Sequence, residues 1–243
     1  MKSLKIAALA ASLLAGAFSG KAQTADEIMQ KHIDAIGGEK LLNGITTIKR
    51  SGSAQIQGME IPCTTTFSDG KGFRKDLSVM GMTGFIIFTP KQGWIYAPFQ
   101  PGMDSVTAVP EEQMKSIGDM LSLKSLLFAN KANFEKIEKV GIDTVNNEPC
   151  FKLKVTGKSG KESTVFISSK TYYMVRVEMT AKVKDEDQEI ALNYSNFQKL
   201  PEGLVLATTE TDMMLAGAEI TYKSTEINKP VADDTFKPIV VKK

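Results

Sequence analysis

The spacing of hydrophobic and polar positions changes once along this chain, and the change separates helix from sheet. Over residues 24–36, Ala25, Ile28, His32 and Ile36 recur at helical spacing, and Thr24 and Glu27 stand at the spacing of a capping box. Gly37-Gly38 stops that helix, and a short helical turn over 39–43 follows. From about Ile45 the period becomes two. Strands are predicted over 45–57, 59–67, 72–80, 82–89 and 93–97, with turns at Gly58, Ser68-Asp69-Gly70, Gly81 and Pro90-Lys91-Gln92. Residues 98–131 interrupt the pattern with Pro98, Pro101 and Gly102. A helix over 110–122 then carries Glu111 and Glu112 in its first turn, and a second short apolar helix contains Leu123, Leu126, Leu127 and Phe128. Strands return over 134–144, 149–157, 162–169, 173–184, 188–198, 204–214 and 216–227. From Met174 to Lys184, Val175, Val177, Met179, Ala181 and Val183 should share one face, opposite Arg176, Glu178, Thr180, Lys182 and Lys184.

One stretch breaks the half-polar pattern. Phe85-Ile86-Ile87-Phe88 is apolar at every position, and Lys91-Gln92-Gly93-Trp94-Ile95-Tyr96-Ala97-Pro98-Phe99 follows it with the chain's only tryptophan. Two adjoining strands that are apolar on both faces imply apolar material on each side of the sheet, and one of those sides is expected to be a ligand cavity. A meander this long curls, and its concave face must be filled by side chains, helices or a ligand. The expected lining is Phe85, Phe88, Trp94 and Tyr96 from the strands, with Met114, Ile117 and Leu121 from helix 110–122 acting as a lid. Each buried methylene of an acyl ligand contributes about 0.8 kcal/mol. A lid that packs into the empty cavity offsets part of that gain and makes capture reversible.

The N-terminus sets the expected compartment. Lys2 and Lys5 precede an apolar run from Ile6 to Phe18, and Gly20 and Ala22 occupy the −3 and −1 positions of a cleavage site. This predicts a secretory signal over 1–22 and one domain over 23–243. Cleavage removes three lysines and no acid, so the formal charge of +2 falls to near neutral. Such a protein has no global attraction for nucleic acid or anionic lipid. Cys63 and Cys150 lie on different predicted strands, and sequence leaves open whether they pair.

Catalytic chemistry finds little support. His32 is the single histidine, which rules out the usual zinc-hydrolase ligand sets and points to a structural role. No Gly-x-Ser-x-Gly elbow occurs. Asp69-Gly70-Lys71-Gly72 lacks the spacing of a phosphate loop and reads as a hairpin turn. Neither a metal nor a cofactor is expected. Met80, Met82, Met103, Met114, Met120, Met213 and Met214 gather near strand ends and the interruption, where flexible thioether side chains suit either core filling or a surface that repacks around variable apolar shapes.

Three segments resemble the LolA-like periplasmic lipoprotein carriers, including outer-membrane lipoprotein-sorting proteins of the Bacteroidetes type. They are Gln92 to Phe99, the opening Ile33-Asp34-Ala35-Ile36-Gly37-Gly38-Glu39-Lys40-Leu41, and the ending Ile227-Asn228-Lys229-Pro230 to Asp233-Asp234-Thr235-Phe236. The resemblance implies a mainly β (α+β) fold, an unclosed antiparallel β-barrel of roughly 11–12 strands with an N-terminal helix and a helical lid or plug. It implies a monomeric, non-enzymatic periplasmic carrier of lipoprotein or lipid acyl chains, with an inner-membrane release complex and an outer-membrane receptor as partners. The alternative is an envelope sensor or protein-interaction module on the same scaffold. The family holds its lid with an arginine in a basic-Arg-Pro step. This chain reads Ser68-Asp69-Gly70-Lys71-Gly72-Phe73-Arg74 there, without the proline, so Lys71 or Arg74 is the expected lid contact.

Overall fold

The computed structural model describes residues 23–238 apart from 119–120, 130, 184–185 and 214. The expected secretory signal over 1–22 lies outside the described residues. The first helix, α1 (Ala25–Ala35), starts on the expected capping box: the Glu27 amide donates to Thr24 Oγ1 at 3.2 Å, and the Thr24 amide donates to Glu27 Oε2 at 2.9 Å. Its apolar stripe buries Ile28, Met29 and Ile33. Gly38, at φ +84, turns the chain into α2 (Glu39–Asn43).

The strands of the first half are β1 (Thr47–Ile56), β2 (Met59–Ser68), β3 (Gly72–Val79), β4 (Met82–Phe88), β5 (Gly93–Tyr96) and β6 (Thr107–Ala108). After α3 (Glu111–Gly118) and α4 (Leu123–Leu126) come β7 (Phe134–Val145), β8 (Glu148–Gly157), β9 (Glu162–Ser168), β10 (Met174–Val183), β11 (Glu186–Lys199), β12 (Val205–Asp212) and β13 (Ala218–Ile227). They form one antiparallel sheet of 13 strands in the order β6-β5-β4-β3-β2-β1-β13-β12-β11-β10-β9-β8-β7. Two meanders are thus joined back to back at the β1–β13 pair, and among the described residues β6 and β7 are the edge strands, each paired on one side. The expected unclosed sheet is present, with β6 as a strand the hydrophobic pattern does not mark. Two residues pairing with Trp94 and Ile95 are too short to show alternation. The helix expected over 110–122 is seen over Glu111–Gly118.

The helices cover the concave side. Ile33 and Ile36 of the first helical segment, Leu42 of α2 and Leu123 of α4 pack with Ile48, Phe67, Val205, Leu206 and Ile227 from the sheet and with Leu204 just before β12. Ile28, Met29 and Phe128 pack with Leu153, Val155, Val165 and Ile167 of the second meander. A third cluster closes one end of the curved sheet with Ala54, Ile61, Cys63, Leu77, Leu215, Ile220 and Tyr222.

Two departures from strict alternation matter. A bulge between Met174 and Arg176 shifts the register of β10 against β9. Val175 therefore packs with Val145, Cys150 and Phe166, while Val177 packs with the α1 cluster, so these two valines do not share the expected face. At Ser51–Gly52 a second bulge brings β13 so close that a Cβ on Gly52 would lie 2.2 Å from the Thr221 carbonyl oxygen. Only glycine fits there. Cys63 and Cys150 are both free thiols, buried in separate clusters, and burial pushes Cys63 up to about 11.

Candidate functional site

A cavity of about 340 Å³ lies on the concave side, between the central strands and the helices. One part is apolar: Ile36, Ile48, Phe67, Phe73, Phe197, Val205 and Leu206 line it from below, and Leu123, Leu126 and Leu127 line it from the helical segment. Leu126 and Met213 are exposed and form part of its rim. The volume falls in the range of small-molecule pockets.

Strand register explains the lining. Ile48 pairs with Phe67 and Phe67 with Phe73, which makes one apolar layer across β1, β2 and β3. Two residues further along each strand, Arg50 pairs with Thr65 and Thr65 with Lys75, and this layer is charged. Glu210 and Asp212 of β12 meet it. Arg50 Nη1 donates to Glu210 Oε2 at 3.1 Å, its Nη2 donates to the Ala207 carbonyl, and its guanidinium lies 3.6 Å from the centre of the Tyr222 ring. Lys75 donates to Asp212 and lies 3.8 Å from Glu210. The Tyr222 hydroxyl donates to Glu210 at 2.6 Å and sits 3.0 Å from Thr65 Oγ1.

The electrostatics follow from these contacts. Burial pulls the Lys75 ammonium down, but the charges of Asp212 and Glu210 outweigh it and hold the group above its ordinary value. Burial, followed by the Glu210 charge, pushes the Tyr222 and Tyr194 phenols up. The four charged groups comprise two cations and two anions, so the layer is balanced.

His32 ties this region together. Its Nδ1 is 2.8 Å from the Tyr172 carbonyl oxygen and its Nε2 is 2.8 Å from that of Leu127, so α1 is fastened to the β9–β10 turn and to the helical segment at once. A neutral ring donates to only one of the two. Burial lowers the pKa below 6.5, against the pull of both carbonyls. A ring that binds protons less readily when folded makes acid favour unfolding. The melting temperature should therefore fall as the pH drops from about 7.5 to 5, and His32→Gln should fall less. An unchanged slope in that variant would contradict this role.

No family model matches the sequence, and no curated protein sequence is similar to it. Solved structures are more informative. A LolA superfamily protein from Nitrosomonas europaea superimposes with a TM-score of 0.51 at 14% identity, over 89% of this chain and 99% of that one. The chain has a LolA-like fold. A DUF1329 family protein from Desulfovibrio piger superimposes at 0.53 and 16% identity, over 89% and 98% of the two chains.

Within this LolA-like fold, the residues expected to line a cavity divide by face. Phe85 pairs with Asp76 and Tyr96, and Ile87 pairs with Arg74 and Trp94, which puts all of these on the convex side. There Phe85 and Ile87 are covered by Phe236, with Trp94, Tyr96, Val106 and Val231 around them. Phe85, Trp94 and Tyr96 therefore do not line the cavity described above. The apolar material on the second side of these strands is the chain's own C-terminal segment. Ile86 is turned inward and does line the cavity, and Phe88 stacks on the cavity residue Phe73 with ring centres 6.2 Å apart. Met114 packs over Gly93, where a Cβ would lie 2.7 Å from its sulfur. Met114, Ile117 and Leu121 are half-buried and do not line this cavity.

Arg74 and Lys71 also face the C-terminal segment. Arg74 donates to both oxygens of Asp76 and, at 2.9 Å, to the Thr235 carbonyl, while Lys71 lies 3.6 Å from Asp233. They fasten a strap on the convex side and not the helices. Of the methionines, Met213 is at the rim and Met80 and Met82 are exposed, while Met120 and Met214 lie outside the described residues.

Arg50, Lys75, Glu210 and Asp212 were not anticipated. For two of them a signal exists: Phe73-x-Lys75-x-Leu77 and Ile48-x-Arg50 put a cation on an otherwise apolar inward face. For Glu210 there is none. Ala207 and Glu210 both line the cavity although an odd number of positions apart, which strict alternation forbids. The facing strand is irregular at Asn196, whose φ is 54°.

Proposed function

We propose that the chain is a non-enzymatic periplasmic carrier that takes an acyl chain of a lipoprotein or lipid into the concave cavity for transfer to the outer membrane. The observation that supports this most is the apolar cavity itself, lined on two sides by sheet and helix and rimmed by exposed Leu126 and Met213. An acyl chain laid against Phe67, Phe73, Phe197 and Leu206 gains about 0.8 kcal/mol per methylene, and the short segments over it can move aside without unpairing a strand. Such a carrier works as a monomer, without a cofactor, between an inner-membrane release complex and an outer-membrane receptor.

The test is uptake of a fluorescent fatty acid by delipidated protein, read from the probe. Saturable uptake of one chain per protein is expected. Trp94 emission should change little, because the indole lies on the convex side. Absence of saturable uptake would sink the reading. A second reading, an envelope sensor or interaction module, draws on Val140 and Ile142, which stand exposed on the free edge strand β7. A chain that takes no acyl ligand but crosslinks from position 142 to an unlipidated envelope protein would favour it.

A further inference from the structure

The cavity has two ends of different chemistry. At one, the Ile48–Phe67–Phe73 layer packs with Ile36, Leu123 and Leu127 beneath the helical segment. At the other, the Arg50–Thr65–Lys75 layer is joined by Asp212 and by Glu210, which pairs across the ladder with Tyr194. This charged end lies beside an opening. Exposed Met213 follows Asp212 directly, and half-buried Thr211 and Leu192 line the cavity with it. An amphiphile therefore fits in one direction, with its tail under Leu123 and Leu127 and its head at the charged layer.

The layer also restricts the head. Its charges are matched, since Arg50 meets Glu210 and Lys75 meets Asp212 and Glu210. A carboxylate held there would face two carboxylates, and an ammonium would face two cations. Either avoids this only by sliding out past Met213, which draws methylenes away from the apolar end. The hydrogen bonds are not matched. Among the described residues, Arg50 Nε is buried without an acceptor and the Tyr194 hydroxyl has no partner. Burial pushes the Tyr194 phenol up, so it keeps its proton to donate. What the layer lacks is an uncharged acceptor, and the carbonyl of an ester or amide is one.

We infer that this end of the cavity is a head-group site for an uncharged acyl ester or amide, an inference that rests on the acyl-carrier reading. The Tyr194 hydroxyl donates to the acyl carbonyl, the tail runs from there under the helical segment, and the rest of the head leaves past Met213.

The test displaces a fluorescent fatty acid from the purified protein with competitors that share one saturated chain and differ in head. They are a free fatty acid, an alkylamine, a monoacylglycerol and an uncharged N-acyl dipeptide amide. The two uncharged heads should bind about tenfold tighter than both charged ones, close to the effect of two buried methylenes. The tighter of the two tells whether a lipid ester or an acylated peptide fits better. In Tyr194→Phe the lead of the uncharged heads should shrink about fivefold. A diazirine in the monoacylglycerol head should label Thr211 or Met213. Charged heads that bind as tightly as uncharged ones overturn the site without any variant. So do a lead that is unchanged in folded Tyr194→Phe, and head-group adducts confined to Leu123 and Leu126. In each of those cases an acyl chain still binds, and the carrier reading stands. If neither the probe nor any competitor binds, the carrier reading fails and the head-group site falls with it.

Discussion

Arg50→Met alone is expected to lower the unfolding free energy by about 3 kcal/mol, and adding Glu210→Leu to restore most of that loss. The side chains of Arg50 and Glu210 are only 13% and 18% exposed, and they meet 3.1 Å apart. Breaking a buried pair from one side typically costs about 3–5 kcal/mol, because the remaining charge stays desolvated without a partner. The lower end applies because Lys75, 3.8 Å from Glu210, remains to offset part of the orphaned charge. Replacing both partners by apolar side chains removes the stranded charge, and buried pairs exchanged in this way are often neutral in stability. Urea unfolding of the two single variants and the double variant gives the coupling directly. If the double variant were as unstable as the sum of the singles, the two groups would not be acting as a pair.

Ala207→Trp is expected to weaken fatty-acid uptake by more than about tenfold, the equivalent of ~1.4 kcal/mol. Ala207 is buried on the cavity wall, and its side chain is the smallest among the residues that line the cavity. An indole at this position occupies the space of the ligand, whereas the carbonyl that accepts from Arg50 belongs to the backbone and survives the change. Overpacking in a filled core costs about 1–3 kcal/mol, and here the cavity absorbs part of the added volume. Stability should therefore drop less than in Arg50→Met while binding drops more. Titration with a fluorescent fatty acid and thermal unfolding separate the two effects. Undiminished affinity in a folded Ala207→Trp protein would place the ligand elsewhere.

The architecture was legible where local chemistry and long-range packing agree. Thr24 and Glu27 start α1 by a hydrogen-bond exchange within four residues, so neighbours alone determine it. The strands from Thr47 to Phe88 alternate between turns built on Gly58, Gly70 and Gly81, and their pairing is between sequence neighbours. The site was less legible because its residues depend on which face of a strand becomes concave. Phe85 and Ile86 are equally apolar, yet one lies under Phe236 and the other lines the cavity. Nothing within β4 distinguishes them. The decision is made by the sense in which the sheet curls and by a C-terminal segment held through Arg74 and Thr235 far away in sequence. The bulge at Met174–Arg176 and the left-handed Asn196 add local reversals that period-two reasoning misses.

The most direct test of the central claim is photolabelling with a fatty acid that carries a diazirine at its terminal carbon, followed by mass-spectrometric mapping of the adducts. A chain held in the concave cavity should label cavity-lining residues such as Phe67, Phe73 and Leu206, and an unlabelled fatty acid should compete the adducts away. Adducts confined to the convex side, at Trp94, Tyr96 or Val231, or labelling that unlabelled fatty acid does not compete, would contradict the account.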